Sequence, residues 1–255
     1  MTVTRVLVVT AVAAERDAVA SGAAGDGGTG GVEVIALPVG GYALHRVRAD
    51  GRPSVIIDVL AAGVGPAAAA AGTATALTAA VCGGTRYDLV ISAGIGGGFA
   101  PGAPVGATVV ADEIVAADLG AETPDGFVPV TELGFGTVVH TPPPVLVRAL
   151  AEATGAACGA VLTASTVTGS AEHAARLAAR HPRALVEAME GFGVAEAAAA
   201  QGLPVLEIRT VSNPVGPRDR AAWRIGDALG ALSAACAALP RVLTAAGTPT
   251  SWRTP

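Results

Sequence analysis

The sequence predicts an α/β fold, a three-layer α/β/α sandwich around a mixed, largely parallel central sheet. Three observations predict it. Residues 3–12, "VTRVLVVTAV", form a largely β-branched run with a continuous apolar centre rather than an alternating pattern, as a strand buried on both faces should. Alanine-rich helical stretches alternate with such runs, the pattern that yields parallel strands joined by covering helices. About half of the 255 residues are apolar (51%) although only 3% are aromatic, so a sizeable core has to be built from small aliphatic side chains. No internal repeat or linker divides the chain, which predicts a single domain over residues 1–255.

The elements follow in order. Residues 3–12 read as the first strand. The helix behind it carries Glu15, Arg16 and Asp17, and with charges so close behind the apolar run a first strand and helix are expected rather than a signal peptide. Residues 21–31, "SGAAGDGGTGG", read as a mobile glycine-rich loop. Short strands are expected at 32–39 and 42–48, with Gly40 and Gly41 as a hairpin signal between them. A further strand at 54–61 turns through glycine into a helix with Pro66 in its first turn. The strand at 87–93 is expected to break at a glycine-rich turn, "GIGGGFAPGAPVG", before a long strand at 105–117. Beyond it, helices at 144–154, 171–180, 191–201 and 219–238 alternate with strands at 160–165, 184–186 and 204–211. A C-terminal tail occupies 248–255.

Composition removes several function classes. The net charge of −5 argues against a nucleic-acid or anionic membrane surface. All basic residues are arginine, which excludes Schiff-base lysine chemistry and a Walker-type phosphate loop. Cys82, Cys158 and Cys236 lie far apart, without metal-ligand spacing, and read as small buried hydrophobes in a reducing compartment. His45, His140, His173 and His181 are scattered, with the last two expected on a solvated helix and its end. No metal or cofactor is implied. The least charged stretch, 228–240, is too short to span a bilayer, so a cytoplasmic protein is expected.

In a sheet of this kind, ligands bind beyond the C-terminal strand ends, and four such ends carry notable residues. Glu15 falls in the first turn of the first helix, where a carboxylate also serves simply to offset the helix dipole. The "GIGGG" stretch, with Ile95, Gly96 and Gly97, lets backbone approach a ligand. It is not a dinucleotide fingerprint, because Phe99 stands at the third glycine position. Met189 and Glu190 sit at a strand-to-helix junction, where a solvated helix-start glutamate is the plain alternative. Ser212 and Asn213 end the last strand, and Asn213 before Pro214 is by itself an ordinary turn residue.

Taken in order, these stretches resemble the nucleoside phosphorylase/nucleosidase superfamily over nearly the whole chain. The segments "AAERDA", "AAGVGPAAAAAGTATAL", "DLVISAGIGGGFAPGAPVGATVVADEIVAAD", "AME" and "IRTVSN" carry the likeness. They are most similar to its hydrolytic branch, the methylthioadenosine/S-adenosylhomocysteine nucleosidases. Within that branch "AADLGAETPDGF", "STVTG", "AMEGFGVA" and "VSNPVGPRD" followed by Trp223 look like the futalosine hydrolases, which release hypoxanthine from futalosine in an alternative menaquinone pathway. The resemblance implies that Glu15 is the base that activates water, with Arg209 near that water. Glu190 would grip the ribose hydroxyls and Met189 pack against the sugar. Val167, Thr168 and Gly169 would fall in the base pocket beside Ser212. Asn213 would stand where adenine-specific relatives carry aspartate. Ile95 departs from the family, which has serine there. The phosphorylases' Gly-Asp-Pro-x-Arg phosphate loop is absent. The "DLGAETPDG" segment matches one that reaches a neighbouring subunit, so a dimer-based homo-oligomer is expected.

The chemistry is consistent from below. Cleaving an N-glycosidic bond builds positive charge on the sugar, which a carboxylate such as Glu190 stabilises, and the departing purine must be hydrogen-bonded at N7. The resemblance favours a futalosine-type hydrolase, and three alternatives stay open: an adenine-releasing nucleosidase, disfavoured by Asn213; an inosine-type phosphorylase, disfavoured by the missing phosphate loop; and a nucleoside-binding protein without catalysis, disfavoured by Glu15 and Glu190. The absence of a GxSxG elbow disfavours a serine hydrolase. The resemblance also implies a substrate with an acyl-benzoate arm, and for its carboxylate Arg46, Arg218 and Arg220 are equal candidates.

Overall fold

In the computed structural model, residues 3–25, 32–48, 55–246 and 249–252 are described. The strands are β1 (Thr4–Thr10), β2 (Glu33–Ala36), β3 (Ala43–Arg48), β4 (Val55–Ala61), β5 (Leu89–Gly98), β6 (Thr108–Ala116), β7 (Gly120–Thr123), β8 (Gly126–Pro129), β9 (Val139–His140), β10 (Ala157–Thr163), β11 (Ala184–Ala188) and β12 (Val205–Pro214). The helices are α1 (Ala13–Ala24), α2 (Pro66–Cys82), α3 (Pro144–Thr154), α4 (Ala171–Arg180), α5 (Gly191–Ala199), α6 (Ile225–Ala237) and α7 (Leu239–Ala245).

Ten strands form one mixed sheet in the order β11-β10-β6-β12-β5-β1-β4-β3-β2, with β9 on β6, while β7 and β8 form a separate hairpin. The centre is parallel: β1 pairs with β4 and β5, and β5 with β12. The β2–β3 hairpin extends one edge antiparallel. Antiparallel contacts also join β12 to β6 and β9 to β6, and a further one, β11 with β5, bends the sheet back on itself. That closure is what brings β5, β11 and β12 together at one point.

Both faces of the sheet are covered. Val6 and Val8 of β1 pack with Val19 of α1, Leu146 and Leu150 of α3, Leu232 of α6 and Leu243 of α7. Leu7 and Val9, pointing the other way, pack with Leu77 of α2 and with Phe192 and Val194 of α5. The continuous apolar run of the first strand is therefore explained, because neither of its faces sees water.

Several expectations need correction. Of the three cysteines expected to be buried, Cys236 is, whereas Cys82 and Cys158 are exposed because they stand at the end of α2 and near the start of β10. The helix α1 runs on through Ala24 and ends at Gly25, so the start of the supposed loop at 21–31 is helical, and residues 26–31 lie outside the described residues. In the tail, Pro249–Trp252 form a 3-10 turn. Trp252 is buried, its indole N–H donating to the Ala246 carbonyl at 3.0 Å. The remaining tail residues, 248 and 253–255, lie outside the described residues. The stretch at 228–240 also proved longer than expected. Together α6 and α7 span Ile225–Ala245, 21 residues, long and apolar enough by length and composition to cross a membrane. Leu232, Cys236, Leu239 and Leu243 are buried in the core, which accounts for that hydropathy.

The largest local surprise is the glycine-rich stretch. It is not a turn: β5 continues extended through Gly98. Its glycines are required by close approach instead. A Cβ on Gly96 would stand 2.6 Å from Val186 Cγ1, and one on Gly98 would overlap the Ala103 carbonyl oxygen. Only a bare backbone lets β11 and the following loop pack against the end of β5.

Candidate active site

The end of β1, the second half of β5, and the ends of β11 and β12 surround a cavity of about 370 Å³. Of the residues expected at a site, Glu15, Ile95, Gly96, Gly97, Val167, Thr168, Met189, Glu190, Ser212 and Asn213 line it. Gly169 does not. It faces a neighbouring cavity with His173 and Arg180, because the chain runs between the two spaces and only Val167 and Thr168 border both.

Glu15 is the third residue of α1 and is 4% exposed. Its Oε2 accepts the backbone N–H groups of Ala11 at 3.0 Å and Val12 at 3.2 Å, the helix-capping role a first-turn acid is suited to. Its Oε1 reaches across to β5 and accepts the Ile95 N–H at 2.9 Å. The carboxylate is thus held from two sides.

Glu190 is the residue before α5 and is also buried, not solvated. Its Oε1 accepts the Gly65 N–H at 3.1 Å and its Oε2 lies 3.2 Å from Arg209 Nη1. Arg209 corrects the sequence expectation in one respect. It does not line the cavity; it lies under the carboxylates at 1% exposure. Its Nε donates to Glu207 Oε1 at 2.8 Å, Nη2 to Ser92 Oγ at 3.0 Å and Nη1 also to the Ile95 carbonyl at 3.4 Å. The guanidinium therefore acts through the groups above it. The reason is geometric: Arg209 is in the middle of β12, one strand spacing from β5, and its side chain spreads beneath the sheet end.

The charges underneath are unusual. Burial disfavours the Arg209 cation, but Glu207, Glu190 and Glu15 outweigh it and hold its pKa above the ordinary value. Burial pushes the Glu207 carboxyl up, against the pull of Arg209 beside it. Neither Glu207 nor Ser92 was expected at the site. The signal for both was weak, since each is a single polar residue inside an apolar strand run.

The wall of β5 is fitted closely to this pair. A Cβ on Gly94 would lie 2.6 Å from Glu15 Oε1 and 2.7 Å from Arg209 Nη1. Both neighbours are anchored by the bonds just described and cannot swing away cheaply. Gly94→Ala is expected to displace them by a few tenths of an ångström or more, lowering kcat roughly 10-fold or further. Steady-state kinetics and a melting curve check this; an unchanged kcat would show that the pair tolerates the shift.

Ser212 and Asn213 finish the site. The Ser212 hydroxyl donates to the Asn213 Oδ1 at 2.8 Å and lies 3.3 Å from the Gly96 carbonyl, while Asn213 Nδ2 donates to the Pro214 carbonyl at 3.0 Å. The amide so oriented keeps one N–H and one acceptor lone pair free for a ligand.

At the mouth, Val64, Arg218 and Trp223 line the cavity, with the Arg218 guanidinium 5.5 Å from the Trp223 ring centre. The expected helix at 219–238 is broken to allow this. Asp219 caps a single 3-10 turn, Arg220–Ala222, and the Arg224 N–H ties back to the Ser212 carbonyl at 2.8 Å. The structure also separates the three arginine candidates. Arg46 forms a two-pronged ion pair with buried Asp58 at 2.7 and 2.8 Å, far from the cavity, and Arg220 does not line it.

Residues 5–246 match the family model described as the phosphorylase superfamily. The chain is 66% identical over 237 residues to a futalosine hydrolase of Streptomyces coelicolor, covering 93% of this chain and 95% of that one. It is 45% identical over 238 residues to a futalosine hydrolase of Acidothermus cellulolyticus, covering 91% and 89%. Among solved structures, a methylthioadenosine/S-adenosylhomocysteine nucleosidase from Colwellia psychrerythraea in complex with adenine superposes with a TM-score of 0.77 at 22% identity, covering 95% and 96%. A native futalosine hydrolase of Helicobacter pylori gives 0.73 at 17% identity, covering 94% and 97%. At those identities the structural likeness speaks to the fold.

Proposed function

The chain belongs to the phosphorylase superfamily and, within it, to the futalosine hydrolases; from that membership we propose how its cavity hydrolyses the N-glycosidic bond of futalosine and releases hypoxanthine. The observation that carries the residue assignment is the placement of Glu15 and Glu190. They are two buried carboxylates in one cavity wall, each held by backbone N–H groups and both bordering the same guanidinium.

In the proposed step, water attacks the anomeric carbon and gives its proton to Glu15, while the bond to N9 breaks and its electron pair leaves with the purine, which takes up a proton from solvent water at N7. The sugar passes through a cationic state. Glu190 binds the ribose hydroxyls and stabilises that charge, and Met189 packs against the ring. Arg209, itself held by Glu207, bonds Glu190 from beneath and adds its positive charge beside Glu15. Asn213, fixed by Ser212, binds the departing base, and Val167 and Thr168 border it. Arg218 and Trp223 at the mouth are placed to take the acidic aromatic arm, a guanidinium and an indole suiting an aromatic carboxylate. The methylthioadenosine-type reading is weaker, because an amide at 213 cannot donate the proton that an acid would.

Hydrolysis is favoured over phosphorolysis by Glu15, since a carboxylate in that corner repels phosphate. The sugar product is therefore expected to be the free reducing sugar, with base release no faster in added phosphate. Product analysis with and without phosphate decides it; a sugar 1-phosphate would place the enzyme with the phosphorylases. We infer a place in the alternative menaquinone route and a cytoplasmic, dimer-based homo-oligomer. Exposed Leu119, Leu133 and Phe135 near the segment at 118–126 support the last of these.

A further inference from the structure

Three carboxylates line the cavity, and the reaction as described uses Glu15 and Glu190 but not Glu187. Glu187 is on β11 and only 5% exposed. Its Oε1 accepts the Thr168 backbone N–H at 2.6 Å. Its Oε2 is buried and has no hydrogen-bond partner among the described residues, and neither has the neighbouring Thr168 Oγ1. Such atoms are rare in folded proteins, because a buried oxygen without a donor loses its hydration for nothing. Two of them in one wall of a ligand cavity point to a bond that the ligand completes.

The register says where that ligand would lie. Gly97 on β5 is aligned with Glu187 on one side and with Asn213 on the other. Register partners project to the same face of a sheet, so the two polar side chains flank a position that has no side chain. Two strand spacings separate their backbones, about 10 Å. That span suits a flat bicyclic base lying over Gly97 with a hydrogen bond at either edge.

The pairing at Thr168 then fixes which base. A free Thr168 N–H would be a donor, suited to the bare N1 of a 6-aminopurine. Glu187 takes up that donor with Oε1 and offers Oε2, which converts the donor wall into an acceptor wall. The N1 of a 6-oxopurine carries hydrogen and is a donor. We propose that Glu187 is a specificity-determining residue, accepting the N1–H of the 6-oxopurine while Asn213 binds its O6 and N7 edge. This rests on the reading of the cavity as a site for a hypoxanthine nucleoside. It adds a second reader, on a different strand, at the opposite edge of the base.

An amide at 187 cannot satisfy both sides. With its oxygen on the Thr168 N–H, its NH₂ meets the N1–H; turned over, its NH₂ meets the Thr168 N–H. Glu187→Gln is therefore expected to lower kcat/KM for futalosine and the affinity for free hypoxanthine roughly 30-fold. The 6-amino counterpart and free adenine should lose less than about threefold, or gain. Equal losses for the oxo and amino ligands would overturn the proposal. Inhibition of the unmodified enzyme gives a second test that needs no variant. Hypoxanthine should bind roughly 30-fold more tightly than adenine or 1-methylhypoxanthine, which lack the N1 hydrogen; equal inhibition constants for all three would overturn it. If the unmodified enzyme released no base from futalosine, the reaction assignment would fail instead, and the free-base affinities would still judge Glu187.

Discussion

Replacing Glu15 by glutamine is expected to lower kcat for futalosine by about 100-fold or more, the scale lost when a general base is removed. Hypoxanthine affinity should stay within about tenfold, because the base acts on the transition state far more than on the bound ground state. The structure adds a cost that the chemistry alone does not. Both oxygens of Glu15 accept backbone N–H groups, from Ala11 and Val12 on one side and Ile95 on the other. The amide of the variant must set its NH₂ against one of these, at a cost of about 1–3 kcal/mol. A fall in Tm of a few degrees should accompany the loss, at about 2–4 °C for each kcal/mol in a chain of this size. Kinetics, calorimetric binding of hypoxanthine and a melting curve separate the effects. A variant that keeps more than about a tenth of the native kcat would show that Glu15 is a structural cap and not the base.

Asn213→Asp should lower kcat/KM for futalosine by roughly 100-fold, the loss expected when a transition-state hydrogen bond is removed. The 6-oxopurine offers an acceptor at O6, and its leaving form offers hydrogen on N7. The native amide meets them with one N–H and one lone pair, its other valences being taken by Ser212 and Pro214. An ionised carboxylate would oppose O6 with like charge. It would also turn an oxygen toward the Pro214 carbonyl, where the native Nδ2 stands at 3.0 Å. Both conflicts disappear when the carboxyl is protonated, and a protonated acid suits the N7 and amino edge of a 6-aminopurine. Activity toward the 6-amino counterpart should therefore fall less, or rise, and most at acid pH. Matched pH profiles on the two substrates check this. Parallel losses at every pH would mean that residue 213 does not read the base.

The periodicity of this sequence determined the layered α/β architecture, because strands buried on two faces leave an uninterrupted apolar record. It also placed helices Pro144–Thr154 and Ala171–Arg180 to the residue, where Pro144 opens one and Ser170, whose side chain accepts the His173 N–H, caps the other. Family-like strings located Glu15, Glu190 and Asn213, each next to a strand end where local sequence is distinctive. What only the tertiary structure decided depends on contacts between distant segments. The "GIGGG" run looks like a turn by composition; it is a strand because β11 and the loop at Ala103 press on it from elsewhere in the chain. Arg209 reads as a site residue, yet its depth is set by Glu207 on its own strand and Ser92 on β5. Glu187 carries no local signal at all, being one acid in the run "ALVEA". Its meaning comes from a pairing with Gly97, 90 residues earlier, and from a Thr168 N–H that no strand uses. Burial patterns are written along the chain, whereas partnerships across the sheet exist only once it has closed.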